Sequence, residues 1–164
     1  MTGGPAAGKT TTGRALAESL PRAAFIDADD VRQLVVRGAA APWEGDAGRQ
    51  QMDLAARNVA ALARNFHDDG FDVVIADVLD TSTIATYRRH LPDVLVVHLV
   101  ISFPEAQRRA TTRKVWITDE EFAWLHQRDR DHPPAVDTRL DVDHLDLAGQ
   151  VAAVGDAWTA VSAS

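Results

Sequence analysis

Short apolar runs alternate with longer amphipathic stretches along almost the whole chain. Residues 8–19 predict a helix that Pro21 stops, and residues 23–27 (Ala-Ala-Phe-Ile-Asp) a short strand. Residues 29–36 follow as a turn and helix. Residues 38–48 contain Gly38, Gly45, Gly48 and Pro42 and predict a loop. A long helix is expected over 48–69, where Leu54, Val59, Leu62 and Phe66 recur at near-helical intervals, with Gly70 as its stop. Residues 72–77 predict a buried strand ending in a carboxylate. A short helix is expected over 83–90, before Pro92, and the strongest strand signal, rich in valine and leucine, lies at 94–101. Pro104 suits the start of a helix carrying Arg108, Arg109 and Arg113. Thr118 with Glu121 makes a capping box for another, through about residue 130, that Pro133-Pro134 breaks. A weaker strand at 139–142 and a helix at 147–161 close the chain.

Short apolar strands alternating with helices predict an α/β fold, a parallel sheet covered on both faces. At 164 residues one domain is expected, residues 1–164. Within it residues 106–134, polar, arginine-rich and bounded by prolines, read as a lid.

Composition narrows the function. No apolar run is long enough for a membrane span, and no signal peptide is read at the start. Without cysteine there are no disulfides or thiolate metal sites, and a cytoplasmic protein is expected. The net charge of -7 and the lack of long basic runs argue against a nucleic-acid partner. Nothing distinguishes a monomer from a homodimer. The histidines, His126 and His132 included, show no metal-ligand spacing.

The most specific pattern is Gly3-Gly4-Pro5-Ala6-Ala7-Gly8-Lys9-Thr10, a phosphate-binding loop leading into a helix. Its glycines let successive N–H groups point at phosphate oxygens, and the helix N-terminus adds positive potential. Lys9 is expected at the terminal phosphates of ATP, Thr10 on Mg2+, and Thr11 against a phosphate. This loop places the chain among P-loop nucleoside-triphosphate hydrolase-like folds. Such a loop should follow a central strand, yet only Met1 and Thr2 precede Gly3. The first strand is therefore expected to be missing, with roughly ten further residues encoded upstream to supply it.

Other candidates follow from position. Ligands of an open parallel sheet sit outside the carboxyl ends of its strands. Asp27 and Asp29, at the end of the second predicted strand, would then face the terminal phosphate, Asp29 orienting an acceptor hydroxyl and Asp27 ordering magnesium. Asp77 ends an apolar run and is a further candidate for the magnesium shell. Arg32, Trp43 and Asp80 are candidates for contact with the acceptor. Arg109, Arg113 and Arg128 could stabilise charge on the transferring phosphoryl group.

Four stretches together, GGPAAGKTT, FIDADDVR, FDVVIADV and VVHLVISFPEAQRRATTR, resemble the small phosphate-loop kinases of metabolites and antibiotics. The nearest likeness is to chloramphenicol phosphotransferase-like proteins, with gluconate kinases, adenylylsulfate kinases and zeta toxins as relatives. The likeness covers roughly residues 3–130. It implies a five-stranded parallel sheet, a lid over the nucleotide, and an aspartate after the second strand, here Asp29, as base or hydroxyl anchor. The expected activity is ATP-dependent phosphorylation of a hydroxyl on a small molecule. A P-loop ATPase or GTPase, or a nucleotide-binding protein without transfer, is the alternative.

Overall fold

The computed structural model describes residues 1–111 and 118–162. The elements run α1 (Lys9–Ser19), β1 (Ala23–Asp27), α2 (Ala28–Arg32), α3 (Gly45–Asp68), β2 (Asp72–Ala76), α4 (Thr81–His90), β3 (Val97–Val100), α5 (Phe103–Ala110), α6 (Asp119–Asp131), β4 (Thr138–Asp141) and α7 (Leu147–Ser162). The fold is α/β, with parallel strands flanked by helices.

β1 pairs in parallel with β2, and β3 with β4. Met1 and Thr2 join the two pairs. The Met1 amino group donates to the Ile75 carbonyl (2.6 Å), and the Asp77 N–H donates to the Met1 carbonyl (3.0 Å). On the other side the Thr2 N–H donates to Val97 O (2.8 Å) and Leu99 N–H to Thr2 O (2.9 Å). One residue bonded to two residues of its neighbour, spaced two apart, is the parallel pattern. Where the first strand was expected to be missing, Met1 and Thr2 lie in the central place between β2 and β3, as an isolated bridge rather than a named strand. Towards the amino ends of β2 and β3 the sheet opens into a cleft of about 530 Å³, walled by Val73, Ile75, Leu95 and Val97 among others.

The pleat divides β2 between two cores. Val74 joins Leu16, Val97, Leu99 and Val154 on the face covered by α1 and α7. Val73 and Ile75 pack on the opposite face with Val59, Ala60, Ala63 and Tyr87 of α3 and α4. Successive side chains of a strand point to opposite faces, so one short apolar run serves both layers.

Boundaries shift where local chemistry overrides periodicity. α4 starts at Thr81, two residues earlier than its pattern predicts, because Asp80 caps it and forms a capping box with Thr83. α3 starts at Gly45 and buries mainly alanines, Ala55, Ala56, Ala60 and Ala63, around Val59. Leu54, Leu62 and Phe66 lie at its margin, each more than a third exposed. Small side chains let α3 approach the sheet closely, and the larger ones seal the edges. The strand expected over 94–101 is regular only at Val97–Val100, since Val94 is held in a turn to Leu91. Among the described residues no helix is long and apolar enough to cross a membrane.

Candidate active site

The loop from Gly3 to Thr10 leaves the sheet at Thr2 and enters α1. Three of its residues have left-handed backbone: Gly3 (φ 144°), Ala6 (φ 61°) and Gly8 (φ 100°). Gly3 has no room for a side chain, since a Cβ would stand 2.4 Å from the Leu99 carbonyl oxygen. Ala6 is the only non-glycine with positive φ among the described residues. Such a conformation costs about 1–3 kcal/mol and persists where the surroundings over-determine it. Ala7 beside it is fully buried and anchors the loop in the core.

The Lys9 ammonium folds back over the loop and donates to the carbonyls of Gly3 (2.8 Å) and Gly4 (3.0 Å). Its charge therefore sits over the concavity that the loop encloses. Gly8 caps α1 with no side chain to cover the start of the helix, whose first N–H groups have no partner within the helix itself. Thr10 Oγ1 donates to Asp27 Oδ2 (2.9 Å), which ties the end of β1 to the first turn of α1. Asp27 also caps α2 through the N–H of Asp29. This hydroxyl and carboxylate are hard oxygen donors at the phosphate loop, which fits magnesium shared with phosphates. Among the described residues no cluster of three acidic or histidine side chains offers an all-protein metal site.

Two clefts bear on the site, one lined by the loop itself and one that begins at Asp29, two residues beyond the Thr10 partner Asp27. One, of about 450 Å³, is walled by Ala6, Gly8 and Thr11, by Arg109 of α5, and by residues 143–147 after β4. Arg109 is held there by Glu105 (2.7 Å) and by the carbonyls of Val142 (2.5 Å) and Leu145 (3.3 Å). Gln150 of α7 fastens this wall to the loop. Its Oε1 accepts from the buried Thr12 hydroxyl (2.9 Å), and its Nε2 donates to Leu145 O. The second cleft, of about 840 Å³, is bounded by Asp29, Arg32 and the loop before α3 on one side and by α3 on the other.

Asp77 does not stand open at the end of β2. It is buried, accepts from the Arg32 guanidinium (2.8 Å) and its neighbour Val78 N–H (2.7 Å), and takes the Tyr87 hydroxyl on its second oxygen (2.8 Å). Arg32 reaches from Asp77 to Asp29. Burial alone would lower the Arg32 pKa, but the two carboxylates outweigh it and raise it, so the guanidinium stays charged. Burial and the Asp77 charge push the Tyr87 hydroxyl well above its ordinary value, so Tyr87 remains a donor.

The other predicted residues are dispersed. Asp80 caps α4 and meets Arg128 (3.3 Å), whose guanidinium also lies over Trp124. Burial raises the Asp80 pKa, yet hydrogen bonds from Thr83 and Ser82 and the Arg128 charge bring it below the usual carboxylate value. Trp43 is half-exposed beside the second cleft, where Pro42 rather than Trp43 contributes to the wall. Arg113 lies outside the described residues. Helix α6 rests on the phosphate loop through His126 Nε2, which donates to Pro5 O (2.9 Å), and on β3 through Asp129 and the buried His98 (2.9 Å). A Cβ on Gly4 would meet the His126 ring at 3.0 Å.

His126, Gln150, Tyr87 and the 143–147 wall were not anticipated. The last had a signal, since it follows a strand at the carboxyl edge of the sheet. The other three have none in pattern or spacing.

No protein-family model matches the chain, and no curated protein matches it. Solved structures do. A sugar kinase from Janibacter sp. superposes with a TM-score of 0.73 at 17% identity, covering 98% of this chain and 92% of that one. A shikimate kinase from Bacteroides thetaiotaomicron gives 0.66 at 19% identity, with 96% of each chain covered. A tunicamycin resistance protein from Deinococcus radiodurans gives 0.61 at 18% identity, covering 94% and 92%. The chain shares its fold with these proteins over nearly its full length.

Proposed function

We propose that the protein is a kinase that moves the terminal phosphoryl group of Mg-ATP to a hydroxyl of a small molecule. The observation that carries this reading is a phosphate loop that lines one cleft and is tied, through Thr10 and Asp27, to the helix on which a second cleft begins at Asp29. A nucleotide extending from the cleft at Arg109 would place its phosphates under Lys9 and the start of α1, and an acceptor in the cleft at Asp29 would meet them from the other side. An ATPase needs only the first cleft. Two of the named neighbours, a sugar kinase and a shikimate kinase, support small-molecule phosphorylation as a class, with different acceptors on one fold.

In this reading Lys9 and the loop N–H groups hold the phosphates. Thr10 and Asp27 would hold magnesium, which supplies charge neutralisation between the phosphate oxygens. Asp29, exposed at the start of α2 and tethered by Arg32, orients the attacking hydroxyl and takes its proton. Removal of that proton is late, so most of the gain comes from positioning. Arg109 serves the nucleoside end, where its three partners hold it. Arg128 belongs to a lid over the transferring group, with α5 and α6 as its anchored arms.

The test is phosphate transfer from labelled ATP across a panel of hydroxylated antibiotics, sugars and nucleosides, with Asp29→Asn and Lys9→Ala beside the parent. Lys9→Ala should lose ATP affinity. Asp29→Asn should keep ATP affinity and lose about 10²–10⁴ in transfer, the usual worth of a placed acid or base. ATP hydrolysis that no acceptor stimulates, and that Asp29→Asn leaves unchanged, would remove the kinase assignment in favour of an ATPase.

A further inference from the structure

The second cleft carries information about the acceptor that the phosphate loop cannot. Its walls are largely aliphatic, with Val31 and Val35 facing Met52, Leu54 and Ala55 of α3. The loop over it is pinned to α3 by Gln51, whose amide donates to Gly38 O (2.6 Å) while its Oε1 accepts from Ala40 N–H (2.8 Å). The neutral polar groups at the cleft are Gln33, Gln51 and Asn58. Among the described residues that line it, Arg32 is the one cation.

Arg32 is already committed. It bridges Asp29 and the buried Asp77, which leaves this group of three one negative charge in excess. An anionic acceptor would have to compete with Asp29 for the guanidinium, or draw it away from Asp77 and strand a carboxylate whose side chain is only 2% exposed. That cost opposes binding, and the Asp29 charge repels the anion as well. We infer that the cleft selects an uncharged hydroxyl compound with an apolar body, and discriminates against hydroxy acids and phosphorylated acceptors. This rests on the kinase reading for the use to which the cleft is put, but the charge selection can be measured without turnover.

The experiment uses matched pairs of one carbon skeleton, mandelic acid with mandelamide and gluconic acid with gluconamide. Binding is followed by chemical-shift titration, and phosphate transfer from ATP is measured in parallel. Each amide should bind about tenfold more tightly than its acid, the scale of one partly screened charge, and mandelamide more tightly than gluconamide. Asp77→Asn should narrow the gap within each pair, because Arg32 then has only one anionic partner. Acids that bind as well as their amides, or binding of neither member of either pair, would overturn the inference. Selective binding of the amides with no transfer keeps it and removes the kinase reading instead.

Discussion

Asp77 gives the sharpest test of how the site is held together. Its carboxylate receives three hydrogen bonds, from Arg32, Val78 and Tyr87, in a position that is 4% exposed. Asp77→Ala would leave a guanidinium, an N–H and a phenol without their acceptor. Removing one partner of a buried ion pair costs about 3–5 kcal/mol. Arg32 keeps 20% of its side-chain exposure and has Asp29 as a second partner, so the lower figure, about 3 kcal/mol, applies. At 164 residues each kcal/mol moves Tm by about 2–4 °C, so the expected drop is about 6–12 °C. Tyr87→Phe removes one donor to a charged acceptor and should cost about 2 kcal/mol.

Thermal and urea unfolding of the parent, Asp77→Ala, Arg32→Ala and the double variant measure this directly. The cycle should return a coupling energy of at least about 1 kcal/mol, as contacting partners do. A Tm for Asp77→Ala within 2 °C of the parent, roughly 1 kcal/mol at this size, would refute the anchoring argument. The same variants separate two roles for this aspartate. As an anchor for Arg32 it should leave magnesium-dependent ATP affinity nearly intact in Asp77→Asn. A residue of the magnesium shell would lose that affinity.

Other outcomes follow from single contacts. Gly3→Ala forces a Cβ to within 2.4 Å of the Leu99 carbonyl at a φ of 144°, and should cost at least ~2 kcal/mol with loss of ATP binding measured by calorimetry. Thr12→Val leaves Gln150 Oε1 without its donor and should lower stability by about 1–2 kcal/mol in urea unfolding, with weaker nucleotide affinity as the 143–147 wall loosens. Burial depresses the His126 pKa below its ordinary 6.5, although its hydrogen bond to Pro5 and the Asp129 charge oppose this. The unfolded chain then binds a proton that the folded one refuses, so stability should fall as pH drops through about 6.5. His126→Gln keeps a donor for Pro5 and should flatten that slope in unfolding measured between pH 7 and 5. The lowered Asp80 pKa gives a separate loss at still lower pH, as that carboxylate protonates in the folded state.

The fold was legible because its determinants are local. β1, β2 and β3 lie in short, largely apolar runs, and Thr118 with Glu121 marked α6 by side chains that cap within four residues. The phosphate loop was legible for the same reason. Glycine takes two of its three left-handed positions, Gly3 and Gly8, and its charge comes from the adjacent Lys9, so one contiguous segment contains these features. Sequence reading went less far where a residue's partner lies distant along the chain. Asp77 read as an open carboxylate at a strand end. Its partners, Arg32 and Tyr87, stand 45 and 10 residues away and come together only when α2 and α4 dock against the sheet. Gln150, 138 residues from Thr12, has no sequence signal for the same reason.

This difference bears on specificity. A phosphate loop recognises a group common to all nucleotides, and its chemistry can be written in one contiguous segment. On the kinase reading, the acceptor cleft instead has Arg32 of α2 on one side and Gln51 of α3 on the other, with Asp77 beyond the end of β2 pairing Arg32 from behind. Changing the acceptor then requires no change in the loop that holds the phosphates. A substitution at Asp77, which lines neither of the two clefts at the site, would on this reading alter which acceptors are tolerated by changing the company Arg32 keeps. Selection acting on the acceptor can therefore work through buried positions that no motif marks, and the charge balance around Arg32 is where it would be read.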